Sequence, residues 1–488
     1  MNLTITLTFL FYFMAVLVIG VIACLRTRDI SDYILGGRRL GSLVAALSAG
    51  ASDMSGWLLL GLPGLVYSQG LLALWLAGGL LLGTWFNWTI VATRLRVMSF
   101  EAGNAITLPE FLERRFQDSS RVLRALSAIL ILFFFTIYTS SGLVAGGKLF
   151  NAVFNIPYHW AVIIGGVSVL SYTFIGGFLA VSWTDAFQAL LMLFALLAVP
   201  ALSWLNIPES ACSSQGLLSC LSGFLSPLKN RDGTGYSVIT ILSLLAWGLG
   251  YFGQPHILAR FMAIDSPSGI KKARLIGTAW AGLAMAGAVL VGLSGLVYFS
   301  GRLGDAEKVF IFLVRELMHP AIAGICLAGI LAAIMSTADS QLLVSASALT
   351  EDFYRGLMRP EAGQKELVLV GRITVIGVCL LAAWFARDPE SLVLDIVAYA
   401  WAGFGASFGP VLIFSLFWQR MTCKGALLGI VSGGLSVIVW KGLSGGIFDV
   451  YELLPGFLIS CVVIVVTSLL DSPPARETLR MFQEFQKT

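Results

Sequence analysis

Ten consecutive residues carry chemistry that their surroundings do not explain. Ser48-Ala49-Gly50-Ala51-Ser52-Asp53-Met54-Ser55-Gly56-Trp57 holds an acid, three serines and two glycines, yet it sits inside an apolar run from about Leu43 to Val66. An aspartate at the centre of a bilayer costs roughly 2.5–3.5 kcal/mol on insertion scales, and such acids mark ion or substrate paths. Glycine and serine hold a regular helix poorly. A helix that breaks at mid-membrane exposes carbonyls that suit a cation and N–H groups that suit an anion. The stretch therefore reads as an interrupted helix that binds an ion beside a small solute.

A second constellation supplies the complementary oxygens. Ala333, Ser336 and Thr337 are spaced i, i+3, i+4 and share one helix face. Their hydroxyls are neutral oxygen donors, and carbonyls freed at Ala51 and Met54 would complete the shell of a monovalent cation. Back-bonding of Ser336 and Thr337 to carbonyls one turn earlier is the plain alternative. Asp53, Asp185 and Asp339 are acids within or at the edges of apolar runs. Asp339 and Ser340 extend the Ser336 face, and with Asp185 they form a candidate second cation site; pairing of the acids with Arg38 is the structural alternative. Trp57, Tyr138, Trp247 and Tyr251 fall at breaks or mid-span, where they wall a small aliphatic or ring-shaped body or simply pack. N–H groups near Ser55 and Gly56 suit a carboxylate. Together these features describe a small amino acid. His159, His256 and His319 are scattered and receive no ligand role.

The elements that must position these residues are membrane helices. The chain is 57% hydrophobic and 12% charged, spread along all 488 residues, against about 25% charged in soluble domains. This is an all-α polytopic membrane protein with the lipid bilayer as solvent. Its net charge of +4 makes no case for nucleic acid. About thirteen runs reach the ~20 residues a crossing needs. Most of the Lys and Arg fall in alternate loops, which the positive-inside rule makes cytoplasmic; the N-terminus is then outside and the C-terminus cytoplasmic. Cys212 and Cys220 share one outer loop, where both a disulfide and two thiols are open readings. The seventh span carries Trp247-Gly248-Leu249-Gly250-Tyr251-Phe252-Gly253-Gln254-Pro255, a second break. Two interrupted spans at matching places point to an inverted-repeat transporter. The sequence divides as 1–41 (flanking helix and loop), 42–206 (first five-helix repeat), 207–235 (outer loop), 236–418 (second repeat), 419–470 (two flanking helices) and 471–488 (tail). It shows no phosphate-binding loop and no mid-span nucleophile with a histidine base, so an ATP-driven pump or an enzyme is not expected.

Five stretches carry a resemblance: Asp32-Tyr33-Ile34-Leu35-Gly36-Gly37-Arg38, the Ser48–Trp57 core, Tyr172-Thr173-Phe174-Ile175-Gly176-Gly177-Phe178-Leu179-Ala180-Val181-Ser182-Trp183-Thr184-Asp185, the run from Trp247 to Phe261, and Met335-Ser336-Thr337. On these the chain resembles the sodium/solute symporter family. The resemblance implies a leucine-transporter-type core of 5+5 inverted repeats in a bacterial inner membrane. It implies Na⁺-coupled uptake of L-proline by alternating access, with Na⁺ as coupling ion and no cofactor; another amino acid, a sugar or a sialic acid is the alternative solute. Sodium would be held by the Ala51, Met54 and Ala333 carbonyls and the Ser336 and Thr337 hydroxyls. Asp53 would be needed for sodium, with Arg38 and Asp185 supporting coupling. Solute contacts would fall on Ser48, Ser55, Gly56, Trp57, Tyr138, Trp247, Tyr251, Gln254 and Pro255. Asp339 departs from the proline pattern, which is neutral there; an acid at that position is similar to the wider family, including members with a second sodium.

Overall fold

The computed structural model describes residues 3–25, 30–173, 177–207, 221, 223–230, 232–299, 303–475, 478, 479 and 482. Cys212 and Cys220 lie outside them. The described residues form helices and no strand; Leu40 and Ile264 meet only in an isolated parallel bridge. In order, the helices used below are α1 (Leu3–Cys24), α2 (Ser42–Asp53), α3 (Leu62–Gln69), α4 (Ala73–Phe86), α5 (Ala92–Glu101), α6 (Leu108–Phe116), α7 (Val122–Phe154), α8 (Tyr158–Thr173), α9 (Gly177–Leu205), α10 (Val238–Ala246), α11 (Pro255–Ala263), α12 (Ile270–Phe299), α13 (Val309–Leu317), α14 (Pro320–Ser347), α15 (Gln364–Phe385), α16 (Val393–Phe417), α17 (Cys423–Lys441) and α18 (Leu453–Leu470).

Ten helical runs among the described residues are long and apolar enough to cross a bilayer, or eleven with a bent pair counted as one. Helix length alone thus does not reach the expected thirteen. The shortfall has local causes. α2 stops after 12 residues because the chain breaks, α8 is short, and Trp57–Glu101 runs as one 45-residue helical stretch. That stretch turns at Gly70, whose φ of 69° only glycine adopts cheaply. A Cβ there would lie 2.4 Å from the Phe224 carbonyl oxygen.

The helices are apolar on all sides because both lipid and neighbouring helices are apolar. What differs is burial. The most apolar window of α14 is 83% buried, whereas that of α1 is 22% buried. α14 is therefore the central post. α1, α2, α7, α9 and α15 all pack on it. α16, α17 and α18 form a second cluster that reaches the core through the Trp247–Gly253 segment.

Between spans, α6 lies as an amphipathic helix stitched down by its cap. The Glu110 N–H donates to Thr107 Oγ1 at 3.1 Å and the Ile106 N–H donates to Glu110 Oε2 at 2.8 Å, a reciprocal cap. Thr107 Oγ1 also donates to Asp352 Oδ1 at 2.7 Å, tying α6 to the end of the α14 run. Thr107→Ala is expected to cost about 1–2 kcal/mol and to lower the thermal midpoint in detergent by a few degrees.

Candidate ion and solute site

α2 ends where its hydrogen bonds run out. The Met54 N–H still donates to the Gly50 carbonyl at 2.9 Å, but the Ser55 N–H turns to the Asp53 carbonyl at 3.1 Å. Ser55 would have served Ala51 in a continuous helix. Met54 leaves helical geometry at φ −87°, ψ 79°, and the chain re-enters helix at Trp57 through a π turn, Trp57–Gly61. Such turns recur at functional sites. The Gly56 position is tight as well, since a Cβ there would sit 2.7 Å from the Ala145 Cβ.

The oxygen set left by this break is compact. Ser336 Oγ donates to the Ala51 carbonyl at 2.8 Å and lies 3.2 Å from the Ala333 carbonyl. Thr337 Oγ1 donates to the same Ala51 carbonyl at 3.3 Å. Two backbone carbonyls and two hydroxyls from α2 and α14 thus converge, all buried. Met54 is buried at the same break. The back-bond of Ser336 to Ala333 exists, but the shorter bond crosses between helices. Neutral oxygens without thiolates or imidazoles suit a hard monovalent cation.

Asp53 is 2% exposed and ends α2. Tyr251 OH donates to its Oδ2 at 2.5 Å, while Oδ1 is buried without a hydrogen-bond partner among the described residues. The Asp53 carbonyl accepts from Trp57 Nε1 at 3.2 Å and from Tyr138 OH at 3.3 Å. One broken turn therefore gathers Trp57, Tyr138 and Tyr251, three of the four aromatics the sequence singles out. Asp53, Met54, Thr84, Asn87, Tyr251 and Phe261 line a small internal cavity. Asn87 donates to the Tyr251 carbonyl at 2.9 Å and leaves its own Oδ1 without a hydrogen-bond partner among the described residues. Asn87 opens a π turn, Asn87–Val91. No sequence argument above named Asn87; a polar residue in the apolar third span was the signal available.

The second break is narrower than the sequence suggests. Trp247–Gly253 stays coiled as a 3₁₀ segment, and the chain breaks only at Gln254, which is extended at ψ 106° before Pro255. The two halves bend by 47°. The remaining expected solute contacts scatter from here. Trp247 stacks on Tyr451 at 5.3 Å. Gln254 Nε2 donates to the Gly250 and Trp401 carbonyls. Pro255 lines a separate cavity with Ile34, Ile106 and Asp352. Ser48 faces away from the aromatics; its hydroxyl donates to Asp185 Oδ2 at 2.7 Å.

Arg38 does not pair with the buried acids. Its guanidinium donates to Asn104 Oδ1, Ser99 Oγ and the Met262 and Ala105 carbonyls, each within 3.0 Å. The arginine beside Asp185 is Arg260, at 3.0 Å, both fully buried. Arg260 belongs to α11 and lies inside the protein, not among the loop cations. Arg260 also receives Ser340 as an acceptor. Asp339 adjoins this group, with its Oδ1 3.4 Å from Ser340 Oγ.

A chain from Haemophilus influenzae described as a sodium/proline symporter is 50% identical over 99% of this chain and 97% of its own length. One of the same description from Escherichia coli is 50% identical over 98% and 95%. A high-affinity proline transporter, PutP, from Bacillus subtilis is 48% identical over 97% and 99%. Among solved structures, a Na⁺-coupled sialic acid symporter in a substrate-bound outward-open state overlays with a TM-score of 0.80, at 17% identity, across 97% of this chain and 99% of that one; at that identity it speaks for the fold alone. A model of the sodium:solute symporter family matches residues 33–433, from Tyr33 through both broken spans to α17, and to that family the chain belongs.

Proposed function

We propose that this protein is a secondary transporter that carries L-proline into the cell with Na⁺. The observation that carries the ion half is the break in α2, whose Ala51 carbonyl meets two α14 hydroxyls at 2.8 and 3.3 Å. Relatives near 50% identity across their full length, described as sodium/proline symporters, support the solute half. Na⁺ is held by the Ala51, Met54 and Ala333 carbonyls and the Ser336 and Thr337 hydroxyls. Its arrival draws those hydroxyls away from the Ala51 carbonyl and stiffens the break, which aligns the solute cradle of Ser55, Gly56, Trp57, Tyr138 and Tyr251. The carboxylate of proline meets the N–H groups at the start of the second half-helix, near Ser55 and Gly56, and the pyrrolidine ring lies against the aromatic side chains.

The wider arrangement belongs to the same reading. Counting the turn at Gly70, the two broken spans and α8 as crossings gives thirteen. Residues 42–206 and 236–418 form inverted five-helix repeats, flanked by 1–41 and 419–470 and joined through 207–235, with 471–488 as a cytoplasmic tail. The N-terminus lies outside a bacterial inner membrane. Transport proceeds by rocking one group of helices against the other. One Na⁺ entering down ~100 mV releases about 2.3 kcal/mol, and a tenfold gradient adds about 1.4 kcal/mol. Together they support roughly several hundredfold accumulation.

Uptake of labelled proline by purified protein in proteoliposomes tests this. An inward Na⁺ gradient should drive accumulation, and K⁺ in its place should not. Excess unlabelled proline should compete, whereas glucose and sialic acid should not; competition by those two alone would replace proline as the solute. Within the cradle, Tyr138→Ala should raise the proline KM by roughly two- to twelvefold, in line with the about 0.5–1.5 kcal/mol an aromatic contact is worth, and change the Na⁺ half-saturation less. The reverse order would make Tyr138 a packing residue.

A further inference from the structure

Away from the ion site, a groove of about 630 Å³ runs between α7 and α15. Leu132, Phe133 and Ile137 of α7 and Ile373, Gly377 and Leu381 of α15 line it, joined by Leu349. Phe133 is 43% exposed and Ile373 60%, so the groove opens on the surface that lipid covers. Its two hydroxyls are already donated: Thr136 Oγ1 to the Leu132 carbonyl at 2.7 Å and Thr374 Oγ1 to the Val370 carbonyl at 2.8 Å. No donor is left for a polar guest, and a hydrocarbon chain is what the groove suits. Its α15 wall, from Val370 to Phe385, covers about 22 Å of helix, much of a hydrocarbon core about 30 Å thick.

Leu349 belongs to an 11-residue π-helical run, Ala348–Met358, that continues α14. Two residues further on, the same run enters a polar pocket of about 300 Å³, lined among others by Arg114, Arg121, Arg124, Arg355, Glu110 and Glu351. Most of these charges are matched. Arg124 bonds Asp352 at 2.8 Å and Glu113 at 2.9 Å, Arg114 bonds Glu110 at 2.5 Å, and Arg355 bonds Glu351 Oε2 at 3.2 Å. Two groups are left incomplete. The Arg121 side chain is 46% exposed and meets its acid, Glu113, only at 3.6 Å. Glu351 is 4% exposed, yet its Oε1 has no hydrogen-bond partner among the described residues. A buried carboxylate oxygen in that state calls for a donor. The pocket therefore suits an anion beside Arg121 and Arg355 and an N–H donor beside Glu351.

We propose that groove and pocket form one site for phosphatidylethanolamine. An acyl chain fills the groove, the phosphate meets Arg121 and Arg355, and the ammonium donates to Glu351 Oε1. Basic pockets beside membrane helices hold lipid head groups; here the unpartnered glutamate selects among them. Phosphatidylcholine carries the same charges but no N–H, and phosphatidylglycerol carries the phosphate without an ammonium. The site should prefer the ethanolamine lipid over either by roughly tenfold or more, the scale of one charged hydrogen bond. This inference needs only that the chain sits in a membrane and is independent of the choice of ion and solute.

The test is which lipid stays with the full-length protein. Delipidated protein in detergent is given equimolar dioleoyl phosphatidylethanolamine, phosphatidylglycerol and phosphatidylcholine, and bound lipid is counted by native mass spectrometry. The ethanolamine lipid should be retained over the other two by roughly tenfold, and glycerophosphoethanolamine, the head without chains, should not displace it. Nothing lies within 4 Å of a Cβ at Gly377, so Gly377→Trp puts its indole into the groove without meeting the protein and should abolish retention. Glu351→Gln should bring the three lipids within roughly threefold of one another. Equal retention of the three lipids by the unaltered chain, or a preference for phosphatidylglycerol, would overturn the proposal. So would full retention by Gly377→Trp, an unchanged preference in Glu351→Gln, or displacement by the free head group. A dimer of the unaltered chain that Gly377→Trp splits would put a second copy in the groove and overturn it as well. The comparison of lipids on the unaltered chain decides the matter even where a variant fails to fold.

Discussion

Asp53→Asn should abolish Na⁺-driven uptake while the protein still inserts and folds. Asparagine keeps the shape of the side chain and can still accept from Tyr251 OH, which now donates to Asp53 Oδ2 at 2.5 Å. What it removes is the carboxyl group, buried to 2% exposure and able to carry the charge that balances an arriving cation, on the turn that exposes the Ala51 carbonyl. The four converging oxygens of Ala51, Ala333, Ser336 and Thr337 are all neutral, so Asp53 supplies the nearest countercharge on the broken helix. At an effective dielectric of about 20, a unit charge several ångströms from a cation contributes roughly 2–3 kcal/mol. The Na⁺ half-saturation should therefore rise by roughly 30- to 150-fold, which puts uptake at ordinary Na⁺ close to background. Thr337→Ala removes one oxygen whose bond to Ala51 is the longer of the two, and it should act in the same direction with a smaller change. The measurement is Na⁺ activation of labelled-proline uptake at equal amounts of reconstituted protein. An Asp53→Asn protein with unaltered Na⁺ half-saturation would remove Asp53 from the ion site.

Gly248→Val should cost the fold itself. The 3₁₀ segment Trp247–Gly253 crosses α4 backbone to backbone. A Cβ on Gly248 would lie 2.2 Å from the Gly79 carbonyl oxygen and 3.4 Å from the Gly83 Cα, and a Cβ on Gly83 would lie 2.3 Å from the Gly248 carbonyl oxygen. Neither neighbour is a side chain that can swing aside. Overpacking a tight core costs about 1–3 kcal/mol or more even when side chains can yield. Here two helices must part. Their separation also carries Tyr251, three residues on, away from Asp53, so function suffers before stability is exhausted. Gly248→Ala should retain a monodisperse peak in detergent with at least tenfold lower uptake, and Gly248→Val should lose the peak. Gly78→Ala is the control, since nothing lies within 4 Å of a Cβ at that position; it should behave as the unaltered chain. A stable, active Gly248→Val protein would mean that this crossing is looser than the geometry shows.

What could be read from the chain alone follows from physics that acts locally. Long apolar runs specify membrane helices because lipid leaves the backbone no partner but itself. Glycine, serine and proline within such runs mark where that self-pairing fails, which is why Ser48–Trp57 and Trp247–Pro255 stand out without any neighbour being known. The spacing of Ala333, Ser336 and Thr337 places them on one face of a helix, since 3.6 residues make a turn. Identity of the solute owed more to the matched stretches than to side-chain chemistry, because a wall of tryptophan and tyrosine suits many small bodies.

The pairings were decided elsewhere. Ser336 reaches the Ala51 carbonyl across 285 residues of chain, and Arg260 reaches Asp185 across 75 and Ser48 across 212. Periodicity says which residues share a face of their own helix; it cannot say which face of another helix lies opposite. For that reason Arg38 stood as the alternative partner for the buried acids, while the arginine that meets Asp185 is Arg260. Ser48 and Trp57 lie in one ten-residue stretch, yet the fold sends one to Asp185 and leaves the other against the Asp53 carbonyl. Local backbone preference determined that this chain must break twice inside a membrane, and only close packing of distant helices decided which charge faces which.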